Sequence, residues 1–333
     1  MTRTSIEWVR NQDGTQGFTV NPIRFRNKKT GKVGHYCEKL SPGCKHCYAS
    51  RMQTGPYLSG LEFTAENKDR GELFFEDEVI QQVLWRRKPA TFFWCDCTDL
   101  FGPWVKDSWI DRIVGCCALT PQHRHLWLTK RADRMREYCH TSKQIKYGKY
   151  LDIGTCKAYD WPLPNLGLGV SAEDQERANK RIENLRQTPA AMRFLSAEPL
   201  LSALDVSPWL TRWTGQGSGL PKPLSTALAT LPDIHGLDWV ITGGETGPGA
   251  SPMPPEWPRA IRDQCQAAGV PYFHKHNGEW SVSNNGRDLF KVGQCDDVPI
   301  GDGLHHRMFR VGKKAAGRLL DGRTWDELPE MLR

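Results

Sequence analysis

The sequence predicts an α/β protein built on a parallel sheet, open or closed as a barrel. Three observations carry that expectation. Short apolar runs of strand type alternate with segments of helical period from about residue 79 to residue 276. Each apolar run ends in polar residues, the habit of parallel α/β folds, whose sites lie at the carboxyl ends of the strands. The 333 residues can bury a sizeable core as one large domain or two smaller ones.

Taken in order, Ile6-Glu7-Trp8-Val9 and Phe18-Thr19-Val20 read as short strands, and they lead into Asn21-Pro22 and a basic stretch, Arg24 to Lys32, read as a loop. Three cysteines follow, Cys37, Cys44 and Cys47, in a turn-rich segment, and Tyr48 to Met52 looks like the start of a helix. Val79, Ile80, Val83 and Leu84 have helical spacing, Lys88-Pro89 is a stop, and Thr91 to Cys95 is a buried strand. Trp109 to Cys117 is the next helical face and His125 to Thr129 the next strand. Leu166 to Val170, a helix from Asp174 to Leu185, Met192 to Ser196, Trp239 to Thr242, a helix from about Pro255 to Ala268, and Val270 to His274 continue the alternation. Residues from about 205 to 236 are rich in Gly, Pro, Ser and Thr and read as an insertion. The barrel-like unit is expected over 1–278, with 279–333 as an irregular C-terminal extension containing a hairpin signal at Asn284-Asn285-Gly286.

The strand-end residues are Asp96, Thr98 and Asp99; Lys130 and Arg131; Ser171 and Glu173; Glu198; Glu245 after Gly243-Gly244; and His274, Lys275 and His276. Any one of them alone reads as an N-cap or a solvated loop charge. Their recurrence at successive strand ends places them, with the cysteine loop, around one mouth.

Cys37, Cys44 and Cys47 are separated by six residues and then two. A structural zinc site is closed by four protein ligands, so the spacing reads either as part of a zinc site completed by His35 or His46 or as three ligands of an iron–sulfur cluster with one iron open. The remaining cysteines lie apart, with Cys95-x-Cys97 the pair to watch, and eleven cysteines in an intracellular chain argue for metal or catalytic use over disulfides. Met1 to Asn11 lacks the apolar core of a signal peptide and no run approaches a membrane span, so a soluble, cytoplasmic protein without a membrane partner is expected. A formal charge of +7 permits a polyanionic partner without requiring one, and thirteen tryptophans offer either stacking surfaces or core.

Together, Ile6-Glu7-Trp8, Asn21-Pro22, Ser41-Pro42-Gly43-Cys44-Lys45-His46-Cys47-Tyr48-Ala49, Thr98-Asp99-Leu100-Phe101, Leu128-Thr129-Lys130-Arg131, Gly169-Val170-Ser171-Ala172-Glu173-Asp174, Phe194-Leu195-Ser196-Ala197-Glu198-Pro199-Leu200 and Gly243-Gly244-Glu245-Thr246-Gly247 resemble a phage-type three-cysteine-motif family. That family is similar to radical S-adenosylmethionine (SAM) enzymes of the spore photoproduct lyase type. The resemblance implies a partial (β/α) barrel with the cluster loop after the first strand. It implies a [4Fe–4S] cluster on Cys37, Cys44 and Cys47, SAM bound by Asp96, Thr98, Asp99, Lys130, Ser171, Glu173 and Glu198, and Glu245 and Lys275 as catalytic groups. It also implies an electron donor such as flavodoxin or ferredoxin and a DNA or modified-nucleotide substrate, with isomerisation in phage thymidine hypermodification the favoured reaction. Two departures stand out: radical SAM cysteines are usually spaced by three and two residues, and the basic segment Ile23 to Gly34 is extra. The rivals are a zinc-stabilised nucleic-acid-binding protein and a DNA photoproduct repair lyase.

Overall fold

A computed structural model describes residues 1–142, 145, 149–152, 154, 157–210, 235–282, 295–301 and 303–333. Its strands are β1 (Thr2–Arg3), β2 (Phe18–Val20), β3 (Ile23–Asn27), β4 (Val33–Gly34), β5 (Gly71–Phe75), β6 (Thr91–Trp94), β7 (Arg124–Thr129), β8 (Lys149–Asp152), β9 (Lys157–Asp160), β10 (Leu166–Ser171), β11 (Met192–Ala197), β12 (Trp239–Gly243), β13 (Tyr272–His276), β14 (Trp280–Ser281), β15 (Cys295–Gly301) and β16 (Leu304–Arg310). Its α-helices are α1 (Tyr48–Gln53), α2 (Asp77–Leu84), α3 (Asp107–Leu119), α4 (Ala132–Thr141), α5 (Gln175–Arg186), α6 (Glu256–Ala268) and α7 (Lys313–Ala316).

Eight strands form the central sheet in the order β1-β2-β6-β7-β10-β11-β12-β13. Every pairing from β2 to β13 is parallel, and only the edge strand β1 is antiparallel. The expected α/β class with a mostly parallel sheet is therefore present, and its parallel strands follow one another in chain order without reversal.

The two-residue period of a strand divides the sheet's side chains between two cores. Phe92, Trp94, Trp127, Leu168, Leu195, Val240 and Tyr272 pack with the apolar stripes of the helices: Ile80 and Val83 of α2, Ile110 and Val114 of α3, Met135 of α4, Ile182 and Leu185 of α5, Ile261 of α6. Their alternate neighbours Phe93, Leu126, Phe194, Trp239, Ile241 and Phe273 face a second core, closed by Trp8 and Val9 from the N-terminus and Leu332 from the C-terminus. All these helices therefore lie on one face of the sheet.

On β10 the second-core positions are glycines. An added Cβ at Gly169 would lie 2.4 Å from the Phe194 ring, and at Gly167 2.4 Å from Met192 Cε. Valine at 169 has the higher strand propensity, but the fully buried Phe194 has nowhere to move. Gly169→Val is expected to lower stability by about 1–3 kcal/mol through overpacking. An unchanged urea midpoint would remove this packing argument.

His125 on β7 is buried between two partners. Trp94 Nε1–H can only donate, so His125 Nδ1 accepts at 3.0 Å; Nε2 then carries the proton toward Thr120 Oγ1 at 3.0 Å, whose own hydrogen goes to the Cys116 carbonyl at 2.6 Å. Burial lowers the His125 pKa from 6.5 to about 3, and burial lowers that of His274 from 6.5 to about 4. The unfolded chain takes up these protons first, so their contribution to stability is complete above pH 6.5 and is lost as pH falls toward those lower values. The urea midpoint is expected to drop between about pH 7 and about pH 4.5, and His125→Gln to drop less steeply than wild type. Equal slopes would show that His125 does not contribute to the acid lability.

Two local expectations are corrected. Ile6 to Val9 is a turn, with Val9 N–H donating to the Ile6 carbonyl at 3.1 Å, because Trp8 and Val9 plug the second core instead of pairing with a strand. The basic stretch is a hairpin: Ile23, Phe25 and Asn27 are buried in alternation, and β3 pairs with both β4 and β5. Its charges are engaged locally, Arg24 with Glu76 at 3.7 Å and Arg26 over the Phe74 ring at 5.0 Å. The region after residue 279 contains the three-stranded sheet β14-β16-β15 and is tied back to the central sheet by a bridge from Asp326 to Phe273 and by Arg124 Nε donating to the Met331 carbonyl at 2.5 Å. Residues 211–234 of the expected insertion and the Asn284-Asn285-Gly286 signal lie outside the described residues. Among the described residues no helix is long and apolar enough to cross a membrane.

Candidate functional site

The cysteine loop lies against the carboxyl edge of the sheet and is fastened there at four places. Ser41 to Cys44 turns back through one 3-10 turn, Pro42–Cys44, with Cys44 N–H donating to the Ser41 carbonyl at 2.8 Å. The Gly43 N–H donates to Glu173 Oε1 at 3.2 Å, and a Cβ there would lie 3.2 Å from both Glu173 Cδ and Pro199 Cδ. Glu173 has no exposed side-chain surface and takes Arg181 Nη1 on its other oxygen at 2.9 Å. Burial alone would raise its carboxyl pKa, but the Ser41 hydroxyl, the charges of Arg181 and Lys130 and the Gly43 N–H together hold it below the ordinary value.

The second fastening is Arg131, whose guanidinium pairs with Asp99 Oδ2 at 3.0 Å and donates to the Glu38 carbonyl at 3.1 Å. Asp99 also accepts from Thr129 Oγ1 at 2.6 Å, Lys130 N at 3.1 Å and Phe101 N at 3.0 Å. Thr98 is occupied too, its hydroxyl donating to the Tyr36 carbonyl and accepting from Trp104 Nε1. The third is Asp96, gripped by Asn21 Nδ2 at 2.5 Å and by the Tyr48 hydroxyl at 3.0 Å, while Asn21 Oδ1 accepts from Cys97 N at 3.2 Å. Burial raises the Asp96 pKa, against the pull of the Asn21, Tyr48 and Cys97 hydrogen bonds. Cys95 takes the left-handed conformation, φ 59°, that lets the chain turn at the end of β6.

The fourth is the loop after β12. Its glycines admit protein: a Cβ at Gly244 would lie 2.7 Å from the Asn277 carbonyl oxygen, at Gly243 3.2 Å from Glu198, and at Gly249 2.6 Å from the His46 ring. Arg51 of α1 donates to the Thr246 carbonyl at 3.3 Å. The close neighbours of these glycines are the protein's own atoms.

Between the loop and the strand ends is a cavity of about 230 Å³. Cys37, Cys44 and Cys47 line it from the loop; Asp96, Thr98, Asp99, Lys130 and Ser171 line it from β6, β7 and β10; Glu198, Glu245 and Lys275 line it from β11, β12 and β13. Its apolar floor includes Trp8, Phe93 and Leu128. Glu173 is the exception among the expected residues, lying fully buried behind Gly43. Lys130 Nζ donates to Ser171 Oγ at 3.0 Å, and Lys275 Nζ pairs with Glu198 Oε1 at 2.6 Å, with His276 Nε2 3.5 Å from the same oxygen. Glu245 Oε2 accepts from Ser251 N at 2.8 Å. Of the triplet on β13 only Lys275 lines the cavity; His274 bonds Thr242 and Asn277 on the helix-bearing side of the sheet.

Burial pushes the Cys37 thiol up to about 12, the Asp99 charge adding to the effect and Arg131 opposing it. Among the described residues no group of three or more His, Cys, Asp or Glu side chains is arranged to hold a metal ion. Two further thiols, Cys95 and Cys97, line the cavity as well, and Cys37 and Cys47 pack against the cluster of Ala49, Phe63 and Cys97.

A family profile described as a protein of unknown function, DUF5131, matches residues 22–329. The chain belongs to the DUF5131 family. No curated protein matches the sequence. Among solved structures, a cysteine-to-serine mutant of spore photoproduct lyase aligns with a TM-score of 0.35 and 10% identity over 93% of this chain and 72% of that one. A tyrosine-to-phenylalanine mutant of the same enzyme aligns at 0.34 and 9% over 93% and 73%. A double mutant with bound AdoMet and dinucleoside spore photoproduct aligns at 0.34 and 9% over 93% and 72%.

Sequence reasoning missed several groups of this DUF5131 site. Asn21 and Tyr48, which hold Asp96, stood out only as members of motifs with no role assigned, and Arg181, which holds Glu173, carried no signal beyond its residue type. Lys275 could have been separated from its histidine neighbours, since alternation places it on the same face as the buried Phe273.

Proposed function

We propose that this DUF5131 protein is a radical SAM enzyme acting on a nucleic-acid base. The observation that carries the proposal is the single cavity in which three cysteines of one loop meet polar groups from successive parallel strand ends. Seven parallel strands in chain order with helices on one face support this reading, in which they would curve as an open (β/α) barrel with the cysteine loop after the first of them. The donor set fits a [4Fe–4S] cluster: three half-buried thiols border the cavity and leave the fourth iron for a ligand that is not protein. Cys37, Cys44 and Cys47 would hold it. When bound, the cluster and SAM supply a 5′-deoxyadenosyl radical that abstracts hydrogen, with the electron coming from a donor such as flavodoxin or ferredoxin.

The chain's own groups then divide by what they touch. Lys130, facing the cavity beside the neutral Ser171, is the cation for the methionyl carboxylate. Asp96, Thr98, Asp99 and Glu173 are positioning residues, their polar atoms already engaged by protein. Glu245 and the Lys275–Glu198 pair, on the far strands, are the substrate-side groups; the ion pair keeps a proton donor and an acceptor next to each other at the wall of a half-apolar cavity. Phe93, Trp8 and Leu128 exclude water from the floor.

The test is anaerobic reconstitution followed by iron and sulfide analysis and electron paramagnetic resonance with and without SAM. About four irons and a SAM-sensitive signal are expected. Zinc in place of iron with no SAM response would leave a nucleic-acid-binding protein without turnover. Nucleoside mass spectrometry on phage-modified and on ultraviolet-irradiated DNA then separates isomerisation of a hypermodified thymidine from photoproduct repair.

A further inference from the structure

Beside the cysteine-lined cavity lies a second, of about 440 Å³, between the first turns of α4 and α5. Lys130 and Arg131 line both, so the two cavities adjoin at these residues. Six cationic groups, Lys130, Arg131, Arg134, Arg177, Lys180 and Arg181, face the second cavity against two carboxylates, Asp133 and Glu176. Arg131, Arg134, Arg177 and Arg181 have carboxylate partners, Asp99, Asp107, Asp174 with Glu176, and Glu173. Lys130 Nζ donates to the Ser171 hydroxyl and adds its charge to the hold on Glu173, and the exposed Lys180 has no ion pair among the described residues.

A second feature has the same sign. Helix α4 begins at Arg131 without a side-chain cap, and its first residues, Ala132 to Arg134, line the cavity, so the positive end of a ten-residue helix opens into it. Helix α5 by contrast is capped by Asp174, which accepts from Arg177 N at 2.9 Å. Cations lining a cavity into which the start of a helix opens suit a compact oxyanion such as phosphate.

We infer that the second cavity holds a backbone phosphate of a polynucleotide whose target base enters the cysteine-lined cavity. The substrate is thus a base within a strand and not a free nucleotide. This rests on the proposed function for the identity of the base-binding cavity.

The experiment uses purified full-length protein and a fluorescein-labelled single-stranded deoxythymidine twelve-mer, read by fluorescence anisotropy over a salt series. The double variant Lys180→Glu/Arg177→Gln touches neither the cysteine-lined cavity nor the core. It is expected to bind about tenfold or more weaker than wild type, with a salt slope shallower by about two, and thymidine 5′-monophosphate to compete poorly in wild type. Equal affinity and slope in the double variant overturn the inference, as does monophosphate binding as tight as the oligonucleotide. A variant that binds the oligonucleotide normally but is reduced slowly by flavodoxin also overturns it, in favour of an acidic protein partner. Iron content and the SAM response are measured on the same samples. If wild type shows neither while oligonucleotide binding depends on Lys180 and Arg177, the enzyme reading falls and the phosphate site stands. If both are normal and the oligonucleotide result is negative, only the phosphate site falls.

Discussion

Alanine at any one of Cys37, Cys44 or Cys47 is expected to abolish iron retention after anaerobic reconstitution, from about four irons per chain to below about one. The three thiols border one cavity, and loss of one leaves an open cluster with two protein anchors. The fold should survive, because all three are only partly buried and contribute little to the cores. Cys265→Ala and Cys295→Ala are the controls: Cys265 is buried in α6 and Cys295 is exposed on β15, neither bordering the cavity, and both variants should load normally. Cys97→Ala is the discriminating variant, since Cys97 borders the cavity without belonging to the loop. Full iron content in Cys97→Ala and none in Cys44→Ala is the expected pattern. Full iron in any single variant of the loop cysteines would refute the three-ligand assignment.

Glu173→Ala is expected to destabilise the protein by about 3–5 kcal/mol, because it leaves Arg181 charged, buried and without its carboxylate. The same change removes the acceptor of the Gly43 N–H, so the cysteine loop should loosen even at temperatures where the fold holds. Thiol-reagent kinetics report the second effect separately from the first: Cys44, next to Gly43, should react faster in the variant, while the buried Cys265 should not. In Glu173→Met/Arg181→Met the charge pair is replaced by apolar groups of similar length, and most of the stability should return. Loop reactivity should stay high, because the Gly43 N–H remains without a partner. Recovery of both together would mean that Glu173 acts only as the counter-ion of Arg181.

The parallel sheet was legible because its signals are local. Thr91 to Trp94 and Leu166 to Ser171 are apolar on both faces and punctuated by helical periods, and the observed strands cover them. The misread segments are those where a local cue competed with a distant one. Trp8 and Val9 look like part of a strand, yet the second core takes them. Arg24 and Arg26 made a strand look like a loop, although Ile23 and Phe25 alternate with them toward the core.

The candidate residues divide in the same way. Polar residues at strand ends face a mouth whenever the strands are parallel and adjacent, so the cysteines, Asp96, Lys130, Glu198, Glu245 and Lys275 could be named in advance. Nothing local tells whether such a residue will be free or already occupied. Asp99 and Thr98 are occupied by Thr129, Arg131, Tyr36 and Trp104, and Glu173 by a glycine 130 residues earlier and an arginine eight residues later. By itself, then, the sequence determined the α/β class with its mostly parallel sheet and the positions of most of that sheet's strands, because backbone geometry imposes its periods on neighbours in the chain. Only the tertiary structure decided which of the candidate side chains face the cavity and which hold the cysteine loop, because that depends on pairings between groups far apart in sequence, where a buried charge must find its partner.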